Sequence, residues 1–187
     1  TGTVKIDSLG LVLPPVTVAA ETGLDATDLS AYHLRPGVIE GSSGVISAFR
    51  HDRLTGATHF EFDYDIDSTQ SNQWGGAILT FKDDNRLDIS SSDVIFDVSG
   101  TTRLIVSVSD DRPGEAGYKS VNLVFTGIAA SDGSIRLRAQ DLLAADADFH
   151  LDQITSISFI VDDLETGLSG TGTVKIDSLG LVLPPVT

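Results

Sequence analysis

Residues 58–67, THFEFDYDID, decide the fold class because apolar and polar side chains alternate along them. The apolar set is Phe60, Phe62, Tyr64 and Ile66, and the polar set is His59, Glu61, Asp63, Asp65 and Asp67. A period of two indicates a β-strand with one face in a core and the other in water. The stretch therefore predicts one strand of a β-sandwich.

The same alternation recurs along the rest of the chain. Strand candidates lie at residues 77–82, 94–98, 104–108, 121–125, 135–137 and 157–161. Clusters of Asp, Asn, Ser and Gly, such as residues 83–85 and 131–133, separate them. Helical candidates are confined to residues 141–146 and 27–32. About ten short strands with such turns predict an all-β fold, in which two antiparallel sheets pack as a sandwich or jelly roll.

An internal repeat suggests how the chain is organised. Residues 1–17, TGTVKIDSLGLVLPPVT, recur without change at residues 171–187. The offset is the size of a domain, which favours a tandem array of near-identical units. The Pro-Pro pairs at 14–15 and 184–185 would be stiff joints. We therefore expect residues 14–183 to form one sandwich repeat unit, with residues 184–187 starting the next linker.

The repeated segment predicts a distorted strand. Val174 and Ile176 share one face, but the step from Ile176 to Leu179 is odd-numbered, so one core face requires a β-bulge at Asp177 and Ser178. Residues 1–13 would be either the closing strand of the preceding repeat or a donor strand that extends a sheet of another unit. The predicted inter-unit strand residues are Val4, Ile6, Leu9, Leu11 and Leu13.

Charge and composition exclude several classes of function. The 27 acidic residues against 12 basic ones give a net charge of −15, which repels nucleic acid. No apolar run reaches the roughly 20 residues of a membrane span. The chain has no cysteine, no G-x-S-x-G nucleophile motif and no phosphate-binding glycine loop, so we expect no enzyme activity. The many Asp residues favour either a cation such as Ca²⁺ or a solvated surface.

Three segments carry a resemblance to a known family: residues 60–66, 154–163 (ITSISFIVDD) and 172–181 (GTVKIDSLGL). Over about residues 18–183 the chain resembles the galactose-binding-like jelly rolls of non-catalytic carbohydrate-binding modules. The resemblance implies a structural Ca²⁺ near the chain ends, with Asp177 as a ligand and Glu21 or Asp25 as its partner. Asp163, in an acidic turn, is a further candidate ligand, with a solvated turn as the alternative.

Few aromatic residues could stack on a sugar. Trp74 lies in a polar stretch and is the candidate platform, with Tyr118 and Tyr32 as helpers; the alternative is a lid over the sandwich edge. The favoured function is a Ca²⁺-stabilised, non-catalytic repeat unit of an extracellular adhesin, sheath or filament at the cell surface. Its partners would be neighbouring copies of itself and polysaccharide. The alternative is a carbohydrate-binding module, free-standing or appended to a polysaccharide-degrading enzyme.

Overall fold

The computed structural model describes residues 32–38, 42–51, 58–67, 69–81, 86–111, 118–129, 133–163, 167 and 169–182. Ten strands and one helix lie in these ranges. The strands are β1 (Tyr32–Val38), β2 (Ser43–His51), β3 (Thr58–Ile66), β4 (Trp74–Phe81), β5 (Asp93–Ser99), β6 (Arg103–Asp111), β7 (Tyr118–Thr126), β8 (Gly133–Leu137), β9 (Ile154–Asp162) and β10 (Gly170–Val182). The helix α1 (Ala139–Ala145) lies between β8 and β9.

The strands form two five-stranded sheets. Sheet 1 has the order β1-β4-β9-β6-β7, and sheet 2 has the order β2-β3-β10-β5-β8. Every strand pair is antiparallel. The predicted all-β antiparallel sandwich is therefore confirmed. Within the described ranges, no helix is long and apolar enough to cross a membrane.

Aromatic rings from both sheets meet in the core. Phe159 of sheet 1 contacts Phe60 and Phe96 of sheet 2 edge to face, with ring centroids 5.3 and 5.2 Å apart. All three rings are fully buried. Edge-to-face pairs add to the burial of apolar area, so this trio is a strong link between the two sheets.

The Tyr64 side chain lies close to two glycines, Gly172 on the neighbouring strand β10 and Gly75 on β4 of the other sheet. A Cβ atom on Gly172 would overlap the Tyr64 ring, and one on Gly75 would lie 3.1 Å from the Tyr64 Cβ. Burial also raises the pKa of the Tyr64 hydroxyl. The ring thus fills space that no larger residue at position 172 could share.

The bulge predicted in the repeated segment is present in β10. The register of β10 with β3 shifts between Ile176 and Leu179, and Ser178 has φ of 56°. This left-handed residue lets Leu179 face the core on the same side as Val174 and Ile176. The bulge therefore places Val174, Ile176, Leu179 and Leu181 in one core.

Two strands were not predicted from the sequence. β1 and β2 lack a clear alternation, and Tyr32, included in a helical candidate, begins β1 instead. The helical candidate at 141–146 is confirmed as α1. Residues 1–31 and 183–187 lie outside the described residues, so the predicted domain boundaries and inter-unit strand stay predictions.

Candidate functional site

The outer face of sheet 1 carries a groove of about 530 Å³. Its floor is built from β4, β9, β6 and β7, and Arg86 contributes from the segment after β4. Seven of its ten described lining residues carry a hydroxyl group, and none of the ten is aromatic. The lining consists of Ile78, Thr80, Arg86, Ser107, Ser109, Asp111, Ser120, Thr155, Ser156 and Ser158.

Strand alternation places these hydroxyl groups outside the core. On β6, Val106 and Val108 are fully buried in the core, so the residues between and after them face outward. β9 repeats the pattern around Ile157 and Phe159. The outward serines are Ser107 and Ser109 on β6 and Ser156 and Ser158 on β9. The sequence signal for the groove was therefore serine at every second position of two apolar strands.

The register of sheet 1 aligns the outward residues of neighbouring strands, most of them polar, in two rows across the sheet. The first row is Thr80, Ser156, Ser109 and Ser120, and the second is Ile78, Ser158, Ser107 and Asn122. Directly opposed residues in antiparallel strands have Cβ atoms about 4.5–5.5 Å apart. The groove therefore presents small polar groups at regular intervals along its length.

The hydroxyl groups differ in how they are satisfied. Ser109 and Ser120 share a hydrogen bond of 2.8 Å between their Oγ atoms. Ser107 and Ser158 are each only 9% exposed, and no hydrogen bond joins either hydroxyl to another residue in the described part of the chain. Buried hydroxyls normally have a partner. These two are therefore available to a polar group that enters the groove.

Arg86 is held at one end of the groove. Its Nη1 donates a hydrogen bond of 2.9 Å to the carbonyl oxygen of Phe81, and its Nη2 lies 3.2 Å from Oδ2 of Asp111. A guanidinium anchored at two points loses little further freedom when it contacts a ligand. The pair can therefore act as a fixed donor and acceptor for neutral hydroxyl groups.

The loop before β4 positions Trp74. The backbone N–H of Gln73 donates to Oδ1 of Asp163 at 2.9 Å, and the N–H of Asp163 donates to the carbonyl oxygen of Gln73 at 3.1 Å. Oγ of Ser42 donates to Oε1 of Gln73 at 2.9 Å and accepts from the N–H of Asp67. By strand alternation, Trp74 is on the same face of sheet 1 as the groove, and it is half-buried.

The three residues predicted as a sugar platform are not brought together. Trp74 begins β4 and pairs with Asp162 at one end of sheet 1. Tyr32 pairs with Phe81, and Tyr118 pairs with Asp111, both at the opposite end. Seven residue steps along β4 separate the two ends, about 23 Å. Only the positions of Tyr32 and Tyr118 in their strands belong to the described structure.

Three residues on the polar face of β3, namely His59, Glu61 and Asp63, have side-chain partners on β10. Oγ1 of Thr173 donates to Asp63 at 2.6 Å, Lys175 bonds Glu61 at 2.7 Å, and His59 bonds Asp177 at 3.0 Å. The hydrogen bond to Glu61 and the negative charge of that carboxylate both raise the pKa of Lys175. Among these three partners only Lys175 brings a full positive charge, so this outer face of sheet 2 stays acidic although several of its carboxylates are hydrogen-bonded.

The candidate calcium ligands are also apart where they are described. Asp163 follows β9 and accepts from Gln73, whereas Asp177 lies within β10 and bonds His59. No group of three or more His, Cys, Asp or Glu side chains suited to a metal occurs among the described residues. Those residues alone do not form a calcium site. Glu21 and Asp25 lie outside them, so the predicted Ca²⁺ stays a prediction.

Comparison with solved structures gives the class of the fold. A family 11 carbohydrate-binding module from Clostridium thermocellum, in complex with a β-1,3-1,4-mixed-linked tetrasaccharide, aligns with a TM-score of 0.55 at 13% identity, covering 87% of this chain and 95% of that one. A family 30 module of a cellulosomal cellulase of the same organism aligns with a TM-score of 0.57 at 14% identity, covering 82% and 92%. No protein-family model and no curated protein matches the chain. The fold is thus the jelly-roll sandwich of carbohydrate-binding modules.

Proposed function

We propose that this chain is a non-catalytic carbohydrate-binding module that binds a polysaccharide in the groove of sheet 1. The observation that carries the proposal is the pair of buried hydroxyls, Ser107 and Ser158, that face the groove without a partner in the described part of the chain. The groove volume lies within the range of about 300–1,000 Å³ that is usual for ligand sites. The likeness to carbohydrate-binding modules supports the same assignment.

The charge of the chain selects a neutral glycan. The net charge of −15 repels uronic acid or sulfated polymers. Within the described lining, the one cationic group, Arg86, is already matched by Asp111. A neutral glycan bound along the two hydroxyl rows would be held by hydrogen bonds more than by stacking. The ligand of the family 11 module makes mixed-linked β-glucan the first probe to use.

Binding of mixed-linked β-glucan, measured by affinity electrophoresis and calorimetry, tests the proposal. Ser158→Phe places a ring where the second row lies, and we expect it to weaken binding at least tenfold, which is about 1.4 kcal/mol. The matched control is Ser134→Phe on the exposed outer face of β8, which should bind as the wild type does. Equal binding by both variants, or no binding of any neutral glycan by the wild type, would overturn the groove assignment.

A second function rests on the internal repeat. The identity of residues 1–17 and 171–187 supports an architectural role, in which extracellular units are joined in an array at the cell surface. This role and glycan binding are compatible, because an array of modules gains avidity for a repeating polymer. Neighbouring units should then appear at a spacing of about 170 residues in the full-length sequence.

The Ca²⁺ prediction has a direct test. If residues outside the described ranges complete a site with Asp177, millimolar Ca²⁺ will raise the midpoint of thermal unfolding relative to chelator, because a ligand that binds only the folded state stabilises it. Asp177→Ala would remove that rise. An unchanged midpoint in the wild type would show that the acidic residues form a solvated surface only.

A further inference from the structure

The slot that β10 fills is a central position of sheet 2. β10 pairs with β3 on one side and with β5 on the other. Its core-facing residues Val174, Ile176, Leu179 and Leu181 are 0–3% exposed. An empty slot would leave the facing edges of β3 and β5 without backbone partners, although β2 and β8 would still pair with their other edges, and it would open the core to water. The sandwich therefore needs a strand in this position.

The slot is also selective for sequence. Position 172 must be glycine to make room for the Tyr64 ring, and Ser178 must take a left-handed conformation so that the apolar residues on both sides of the bulge reach the core. On the outer face, Thr173, Lys175 and Asp177 each meet a fixed partner on β3. An arbitrary β-strand would fail several of these requirements.

Residues 1–12 meet every one of these requirements. They repeat residues 171–182 without a change, including Gly2, Lys5, Ile6, Asp7 and Ser8 at the positions of the glycine, the ion pairs and the bulge. Identical segments make identical contacts in the same slot. The chain thus contains two copies of the closing-strand sequence for the one slot that the structure describes.

We propose that residues 1–12 act as a donor strand that occupies the β10 slot of a second copy of this chain. The β10 strand of that copy competes with the donor strand for the slot. Because β10 is covalently attached, it is present at an effective concentration of about millimolar. The donor strand therefore binds where β10 is disabled or where copies are highly concentrated, as in an assembly. Each such exchange joins two copies by antiparallel pairing on both edges of the inserted strand.

The test uses an acceptor chain whose own strands are both disabled. Ile176 is fully buried, so the double variant Ile6→Asp/Ile176→Asp places a carboxylate in the core whether residues 1–12 or residues 171–182 of the acceptor fill the slot. Isotope-labelled acceptor is refolded with unlabelled wild-type chain, whose β10 fills its own slot and whose residues 1–12 remain available. We expect a 1:1 complex by light scattering and dispersed β-sheet amide signals from the acceptor.

The matched control replaces the wild-type donor by the Ile6→Asp single variant. It keeps β10 but lacks a usable donor strand, so it should leave the acceptor unfolded. Equal recovery of the acceptor with both donors, or recovery with neither, would overturn the proposal.

A milder acceptor covers the case in which the double variant aggregates. Ile6→Asp/Ile176→Ala should fold with a lowered midpoint of thermal unfolding. Added wild-type chain should raise that midpoint, and added Ile6→Asp chain should not. The same rise with both chains, or none with either, would again contradict strand donation.

Discussion

The outer faces of the two sheets share one core but have opposite chemistry. The face of sheet 1 is lined with small hydroxyl groups, two of which are buried without a partner in the described structure. The face of sheet 2 around β3 and β10 carries charged groups, with Lys175 paired to Glu61 and Asp177 hydrogen-bonded to His59. Exposed carboxylates are strongly hydrated and gain little from a neutral ligand, whereas hydroxyls without a protein partner can form new hydrogen bonds with one. The proposed glycan binding therefore depends on unsatisfied hydroxyl groups rather than on charge density.

The largest effect should come from the core that supports both faces. Phe159→Ala removes the ring that contacts Phe60 and Phe96, and we expect a loss of about 3–5 kcal/mol in the free energy of unfolding. Ile160→Ala is the neighbouring control on the outer face of β9, where the side chain is half-buried. Urea denaturation measures both. Comparable losses would contradict a core that is centred on Phe159.

Substituting one arginine on each sheet tests whether stability and glycan affinity depend on different faces. Arg136→Met removes a partner of the buried Asp93 in sheet 2, and we expect it to lower stability by about 1–3 kcal/mol with glycan affinity unchanged. Arg86→Met should instead weaken glycan binding several-fold, because its guanidinium lies at the groove. Unfolding and calorimetry of both variants separate the two roles. An exchange of the two outcomes would refute the division of labour between the faces.

Trp74→Ala should have a smaller effect on binding than Ser158→Phe. The indole lies on the groove face of sheet 1 but is not among the residues that line the groove. We expect a loss of affinity of less than about threefold, together with some loss of stability through reduced packing. The comparison is made by calorimetry on the same glucan. A loss larger than that of Ser158→Phe would move the binding site to the far end of the sheet.

The smallest expected effect concerns the loop that precedes Trp74. Hydrogen bonds from the Thr69 side chain and N–H, and from Gln70, hold the pKa of Asp67 below its ordinary value of 3.8. A lowered pKa in the folded state means that the carboxylate stabilises the fold above about pH 3.8 and that this contribution is lost as the pH falls through the folded-state pKa. Asp67→Asn should therefore be slightly less stable than the wild type at neutral pH, and the difference should disappear in acid. Thermal unfolding from pH 7 to pH 2.5 measures it; a difference that persists at the lowest pH would contradict this origin.

Several elements could be predicted because their information is local. The alternation of β3 shows directly in Phe60, Phe62 and Tyr64, and the odd step from Ile176 to Leu179 shows the bulge of β10. β1 and β2 could not be predicted in this way. Each lies at one edge of its sheet, but β7 and β8 lie at the opposite edges and were predicted, so the reason is that the sequences of β1 and β2 lack the alternation of a strand with one buried face.

The groove was missed for a different reason. The serines on β6 and β9 are more than 45 residues apart in the sequence, and neither strand's sequence indicates that the two strands pair with each other. The predicted platform residues Trp74, Tyr32 and Tyr118 are conspicuous as residue types but lie at opposite ends of sheet 1. Residue type alone thus pointed away from the feature that the strand order assembles.

The sequence by itself determined the fold class, the inward side of each alternating strand, the bulge and the presence of a second copy of the closing-strand sequence. These depend on side-chain period and on identity between segments, which are properties of the chain read in order. Only the tertiary structure decided that Ser107 and Ser158 face each other across neighbouring strands and that Thr173, Lys175 and Asp177 meet partners on β3. Strand order and register are set by the packing of the whole core, so a site built across several strands exists only once that core has formed.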